Sequence, residues 1–313
     1  MKKLLIAALW VVPGVASAQF DEATLAKTPV KSSPVAGNVH IFEGAGGNIG
    51  VSAGPDGILI VDDQFAPLVP KIRAALGKLT KGKDKTPEYV LNTHWHFDHT
   101  GGNAIFGREG TIVAHKHVRT RLMNGLESAA MGIKIPPAPK EALPVITYDQ
   151  GISIFFNGEE IQVTHLPSGH TDGDSMVYFT QSNVLHLGDQ FTGDKYPFID
   201  LESGGSLEGY LRNVERVLQT LPAGVKLIPG HGAVSGRQEL ETFAQMLRDT
   251  VELVKGKQAA GKTLEQVKAE GMPEKYKSWG DGFLKPEQWL TVAYQSLSGQ
   301  KPEPAKKPEE PKK

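Results

Sequence analysis

Six consecutive residues, His94-Trp95-His96-Phe97-Asp98-His99, constrain this chain more than any other stretch. Tyr89-Val90-Leu91 before them reads as the end of a buried strand, and Thr100-Gly101-Gly102 after them as the turn into the next element. Alternate residues of an extended segment point the same way, so His94 and His96 can face one point in space. A turn after Phe97 aims Asp98 and His99 at a second point beside it. One short stretch can therefore hold two metal ions side by side. Imidazole nitrogen and carboxylate oxygen are the ligand types that zinc takes.

Three further residues belong with this run. His170 follows Pro167-Ser168-Gly169 at the end of a strand, Asp189 ends Leu185-His186-Leu187-Gly188, and His231 lies between Gly230 and Gly232 after Val225-Lys226-Leu227-Ile228. Each stands at a strand end, where loops gather and side chains can converge. The other histidines read differently. His186 lies inside a strand and is expected to be packed. His115 and His117 are expected in a surface loop, and His40 and His165 in structural roles.

Short apolar strands alternate with helix-spaced segments, which predicts sheets covered by helices. Strands are expected at Val39–Phe42, Gly50–Ser52, Ile58–Val61, Thr111–Ala114, Ile152–Phe156, Ile161–Leu166, Ser175–Phe179 and Asn183–Leu187. Helices are expected at Pro70–Leu79, Val118–Met131, Leu207–Leu221, Glu239–Lys257, Leu264–Glu270 and Pro286–Leu297. The glycine-rich Gly44–Asn48 reads as a hairpin turn or a flap over a substrate, and Pro136–Pro144 as irregular. A Gly-x-Ser-x-Gly match at Gly50–Gly54 runs into Pro55-Asp56-Gly57 and another strand. A serine nucleophile needs a strand-to-helix turn there, so the match is fortuitous.

Met1-Lys2-Lys3, an apolar run from Leu4 to Val15 and Ala16-Ser17-Ala18 form a secretory signal pattern with cleavage after Ala18, which predicts export to a bacterial periplasm. The apolar run is too short to be a comfortable membrane anchor. The chain is expected to comprise a signal peptide (1–18), a polar leader (19–35), a single domain (36–298) and a disordered tail (299–313). Of the 34 basic residues, Lys2 and Lys3 leave with the signal, so 32 stand against 35 acidic ones for a net charge of −3. With no basic patch interleaved with aromatics, a nucleic-acid partner is not expected. The chain has no cysteine, which removes thiolate ligands, a thiolate nucleophile and disulfides.

The motifs resemble those of the metallo-beta-lactamase superfamily from about Val39 to Phe243. His94, His96, Asp98 and His99 match its His-x-His-x-Asp-His signature, and Gly169-His170-Thr171, Gly188-Asp189 and Gly230-His231-Gly232 match its later motifs in order. The resemblance implies an α/β fold with four αββα layers. It also implies two zinc ions, one on His94, His96 and His170, the other on Asp98, His99 and His231, bridged by Asp189. Iron or manganese suits the same set. The implied chemistry is attack by a metal-activated hydroxide on a carbonyl, with Asp98 also orienting the nucleophile. Asp62 is a candidate acceptor for a ligand imidazole's proton, with a cap as the plainer account, and Thr171 is a second such candidate.

Two departures bear on substrate. The best-known lactamase subclass has cysteine where Asp189 stands, and a lysine that binds the antibiotic's carboxylate where Thr192 stands. Lys195 could replace that lysine only if its loop bends suitably. Substrate-contact candidates are Asn48, Thr192, Lys195 and Tyr196. The histidine-and-aspartate set is similar to that of thioester and lactone hydrolases, whereas export and the Asp200-Leu201-Glu202-Ser203-Gly204-Gly205 run resemble periplasmic lactamase-like members. The expectation is a hydrolase of a small ester, lactone or thioester. A beta-lactamase, a phosphodiester or sulfate-ester hydrolase and a non-catalytic metal-binding protein are the alternatives. Oligomeric state is not legible.

Overall fold

Strand residues that are apolar at every position, such as Ile58-Leu59-Ile60-Val61, must be covered on both faces, and the fold supplies both covers. The computed structural model describes residues 22–82, 85–128 and 133–299. In its first half come α1 (Glu22–Lys27), β1 (Lys31–Ala36), β2 (Val39–Glu43), β3 (Ile49–Gly54), β4 (Gly57–Val61), α2 (Val69–Leu79) and β5 (Tyr89–Asn92). Two one-turn helices, α3 (Phe97–Thr100) and α4 (Asn103–Phe106), lead to β6 (Thr111–His115), α5 (Lys116–Asn124), the short β7 (Leu126–Ser128) and β8 (Ile133–Ile135), and β9 (Ile146–Tyr148). The second half holds β10 (Gly151–Phe156), β11 (Glu159–His165), β12 (Ser175–Phe179), β13 (Val184–Gly188), α6 (Leu207–Thr220), β14 (Lys226–Pro229), α7 (Arg237–Ala259), α8 (Leu264–Glu270) and α9 (Pro286–Ser298).

One sheet has the order β1-β2-β3-β4-β5-β6-β9, the other β10-β11-β12-β13-β14. Leu59 and Val61 of β4 join Leu91, Val113, Val177, Phe179 and Ile228 in the core between the sheets. Ile58 and Ile60 point the other way, onto Ile72 and Leu76 of α2. On the far side, Leu185, Leu187 and Leu227 pack under Tyr210, Val214, Phe243, Leu247 and Trp289 of α6, α7 and α9. This is the four-layer αββα arrangement.

Three expectations are corrected. Residues 22–35, read as part of a leader, carry α1 and all of β1 except its last residue, Ala36. Leu25 is buried in the helix–sheet core, and β1 pairs antiparallel with β2 from Lys31↔Glu43 to Ala36↔Val39. The polar Lys31-Ser32-Ser33 lies at the exposed edge of the sheet, which is why composition hid the strand. The helix expected over Val118–Met131 ends at Asn124. Gly125 takes φ 65°, and the chain turns into the β7–β8 hairpin. His115, expected at the surface, is buried at the end of β6 and stacks on His165 of β11 at 3.8 Å. The stack joins the ends of the two sheets, a long-range pairing that has no local signature. The signal peptide and all of the tail after Gly299 lie outside the described residues. Among those described, no helix is long and apolar enough to cross a membrane.

Candidate metal centre

The expected ligands converge past the C-terminal ends of β5, β11, β13 and β14. His94 and His96 follow β5 in extended backbone, with His96 at φ −61° and ψ 146°, and α3 begins directly after. That one turn carries Asp98 and His99 away to a second trio. His94, His96 and His170 form one group able to hold a metal ion, and Asp98, His99 and His231 another. Asp189 faces both, with one oxygen 3.2 Å from His99 Nε2 and 3.6 Å from His231 Nε2, and the other 3.6 Å from His170 Nε2. Ligands at about 2.05 Å on a tetrahedral ion lie about 3.3 Å apart, which matches these spacings.

The outward nitrogens decide which atoms face inward. His94 Nδ1 donates to Thr93 Oγ1 at 3.0 Å, and that hydroxyl donates to Asp62 Oδ2 at 2.7 Å. His99 Nδ1 donates to the same Asp62 oxygen at 2.7 Å. His170 Nδ1 donates to the Phe198 carbonyl at 2.7 Å, and His96 Nε2 to Asp200 Oδ2 at 3.0 Å. These tautomers follow from the acceptors present. The opposite nitrogens therefore turn their lone pairs into the site.

This is a donor set built for cations. His94 Nε2 and Asp189 Oδ1 are buried without a hydrogen-bond partner, an arrangement that costs stability unless a ligand completes it. His96 Nδ1 and His170 Nε2 approach to 2.8 Å, lone pair toward lone pair. That approach is repulsive without a cation or proton between them. Nitrogen and carboxylate donors in two groups, joined by a carboxylate, fit two divalent ions.

The electrostatics of the metal-free site differ between the two trios. Burial, reinforced by the neighbouring imidazoles His99 and His170, holds His94 well below its ordinary pKa. Burial brings His170 down to about 4. Both stay neutral, as metal ligands must. Burial opposes ionisation of Asp98, but His99 and His231 overcome it and hold the carboxyl at about 2. Asp189 is likewise pulled well below the usual carboxylate range, against burial, by His231 and His99. His99 is driven upward, also against burial, by Asp189, Asp98 and Asp62.

Two glycines let the backbone approach the site. A Cβ on Gly47 would lie 2.0 Å from His99 Cε1, and one on Gly230 would lie 1.9 Å from Asp189 Oδ1. Gly47 N also donates to the Asp98 carbonyl, and Gln64 Nε2 to the Gly47 carbonyl. The Gly44–Asn48 stretch is thus a tied hairpin over His99.

Asp62 lies where an acceptor for an imidazole of the site would, with Oδ2 2.7 Å from His99 Nδ1. It also accepts from Thr93 N and sits at φ 65°. Thr171 is corrected: its N–H and hydroxyl both donate to Asp174, which shapes the turn carrying His170. Asn48 is corrected as well. It is buried and ties the His231 loop by donating to the Pro229 and Gly232 carbonyls, while its own carbonyl accepts from His186 Nε2. His186 is packed, as expected.

The remaining substrate candidates also have other partners. Thr192 donates to the Lys195 carbonyl, and Lys195 Nζ reaches the Ser278 carbonyl and Asp194. Tyr196 is buried, stacks on Trp289 at 5.6 Å and donates to the Tyr276 carbonyl. The reading from residues missed Asp200, Phe198 and Thr93 as orienters of ligands. Asp200 was visible only as the first residue of an acidic, glycine-rich run.

Comparison with known proteins gives one family match, the metallo-beta-lactamase superfamily, over residues 36–234. The chain is 28% identical over 166 residues to the beta-lactamase-like protein 2 homolog of Drosophila melanogaster, covering 53% of this chain and 52% of that protein. It is 22% identical over 170 residues to the metallo-beta-lactamase type 2 of Bacteroides fragilis, covering 54% and 62%. The matches thus span about half to three fifths of these relatives' length. Among solved structures, a double mutant of the sec-alkyl sulfatase PisA1 superposes with a TM-score of 0.63 at 17% identity, covering 89% of this chain and 51% of that one.

Proposed function

The chain belongs to the metallo-beta-lactamase superfamily, and from that premise we propose that it is a dinuclear, zinc-dependent hydrolase of small carbonyl substrates: esters, lactones or thioesters. The observation that carries the reading is the donor set, in which four histidines spend their outward nitrogens on protein acceptors and aim the others inward beside Asp98 and Asp189. Two zinc ions bound there would bring the pKa of a water near neutrality and polarise the substrate carbonyl.

The chain's own residues do the rest. Asp98, beside His99 and His231 in the second trio, accepts a proton from the attacking water and fixes its direction. Asp189, with an oxygen toward each trio, sets the distance between the two halves. Thr93, Asp62, Asp200 and the Phe198 carbonyl lock the imidazoles so that no reorganisation is needed during turnover. The tied Gly47 hairpin lies against His99, which is fully buried.

Lys195 supports the carbonyl reading over a lactam. Its ammonium is engaged with the Ser278 carbonyl and Asp194, and Thr192 occupies the position of the carboxylate-binding lysine. The similarity to the Bacteroides fragilis enzyme favours lactam hydrolysis as the second reading. The test is hydrolysis by the zinc-loaded protein of an aryl ester, an acyl homoserine lactone, a glutathione thioester, a penicillin, a cephalosporin and a carbapenem, with Asp98→Ala as control. Ester, lactone or thioester turnover lost in the variant supports the first reading. Lactam turnover alone replaces it with the second, and turnover unchanged in Asp98→Ala removes the assigned role of Asp98. Residues 1–18 support export to the periplasm, which N-terminal sequencing of the protein from a periplasmic fraction tests.

A further inference from the structure

The segment after α8 lies beyond the family match at residue 234, yet it reaches the metal centre. Its turn at Glu274–Asp281 holds the 195–196 stretch at several points. Tyr196 N donates to the Trp279 carbonyl, Tyr196 Oη to the Tyr276 carbonyl, and Lys195 Nζ to the Ser278 carbonyl. Gly282 packs so closely on Lys195 that a Cβ there would lie 3.0 Å from Lys195 Cβ. The next residue is Phe283.

Phe283 is 65% exposed although it is a large apolar side chain. Its ring meets Phe198 edge-on at 6.3 Å. Phe198 in turn lies 5.9 Å from the His96 ring and 6.0 Å from the His170 ring. An apolar strip thus runs from the first ligand trio to solvent, and its outer half comes from the C-terminal segment. The nearest cation on that loop, Lys195, is engaged elsewhere. A single exposed phenylalanine needs no explanation. One that continues a second aromatic ring onto two metal-ligand histidines is placed to meet whatever the metals hold.

We propose that Phe198 and Phe283 form an apolar wall of the substrate site, and that Phe283 is a specificity-determining residue that selects substrates with an uncharged alkyl or aryl group beside the reacting carbonyl. This rests on the hydrolase reading above and narrows its substrate class. A methylene buried on all sides gains about fourfold in affinity, and one covered on one side gains about twofold.

The test is calorimetric titration of the zinc-loaded full chain with acetohydroxamate, butyrohydroxamate, hexanohydroxamate and octanohydroxamate, whose common head group binds metal. Bound zinc is measured before and after. Affinity is expected to rise about twofold per methylene in the native protein. In Phe283→Ala the rise flattens, while acetohydroxamate affinity and zinc content stay unchanged, and Phe283→Leu restores part of it. Because Phe283 is largely solvated, the substitution does not threaten folding. No dependence on chain length in the native protein, or an equal dependence in Phe283→Ala, overturns the proposal. The titration reads no turnover, so failure of the hydrolase reading shows separately, in the substrate panel.

Discussion

Replacing Asp200 by asparagine isolates one hydrogen bond of the metal centre. Asp200 Oδ2 accepts from His96 Nε2 at 3.0 Å, and its other oxygen accepts from Ser203 N at 2.9 Å. An asparagine can keep the Ser203 bond through its amide oxygen. It then turns an NH2 donor toward His96 Nε2, which favours the tautomer with the proton on Nδ1, the atom that faces His170. Metal binding must reverse that tautomer. Loss of such an orienting partner costs about 10- to 100-fold in metal affinity, or about 1.4 to 2.7 kcal/mol. The assay is zinc competition with a chromophoric chelator, alongside the circular dichroism spectrum of the metal-free variant. Native-like zinc affinity in a folded Asp200→Asn protein would refute the reasoning.

Acid titration of the metal-free protein probes the same residue. Burial opposes ionisation of Asp200, but His96 and Ser203 hold it at about 2. A depressed carboxylate stabilises the fold above its unfolded pKa and loses that contribution as pH falls toward the folded value. The advantage of the native protein over Asp200→Asn in urea unfolding, about 2 kcal/mol at pH 6 from the shift alone, should therefore shrink between about pH 4 and pH 2. A constant gap would count against it. Gly47→Ala forces a methyl against His99. It should destabilise the protein by about 1 to 3 kcal/mol and weaken zinc binding, as read by thermal melting and competition; an unchanged melt would show that the hairpin yields freely. Lys195→Ala should leave ester or thioester kcat/KM within about twofold, since its ammonium serves the Ser278 carbonyl, and a tenfold loss would return Lys195 to the substrate site.

The local parts of the fold were legible because their cause is local. Ser175–Phe179 and Leu264–Glu270 fall where apolar period and turn residues put them, and α6 is capped by Ser206, whose side chain accepts from Gly209 N. The errors lie where a pairing, rather than the segment's own apolar period, decides. β1 is a strand only because β2 offers it an edge, and the helix read through Met131 stops where Gly125 brings the chain against the Ile135 carbonyl. The same division runs through the substrate candidates. Tyr196 and Asn48 have polar groups that suit a ligand, yet both are buried, and their bonds go to Tyr276 in one case and to Pro229 and Gly232 in the other.

The seven candidate ligands, their order and the division of the first run into two directions are local properties of the chain. The pleat turns His94 and His96 together, and one helical turn carries Asp98 and His99 away, so neighbours in the chain suffice. Packing settles which nitrogens of His94, His96, His99 and His170 face into the site, where Lys195 spends its charge, and which aromatic rings reach the site. His96 is oriented by Asp200 across 104 residues of chain, and Phe198 meets Phe283 across the join between the family fold and the C-terminal segment. Such pairings are fixed by how sheets, loops and helices pack. The periodicity of any one segment reports only what it buries, not what it meets.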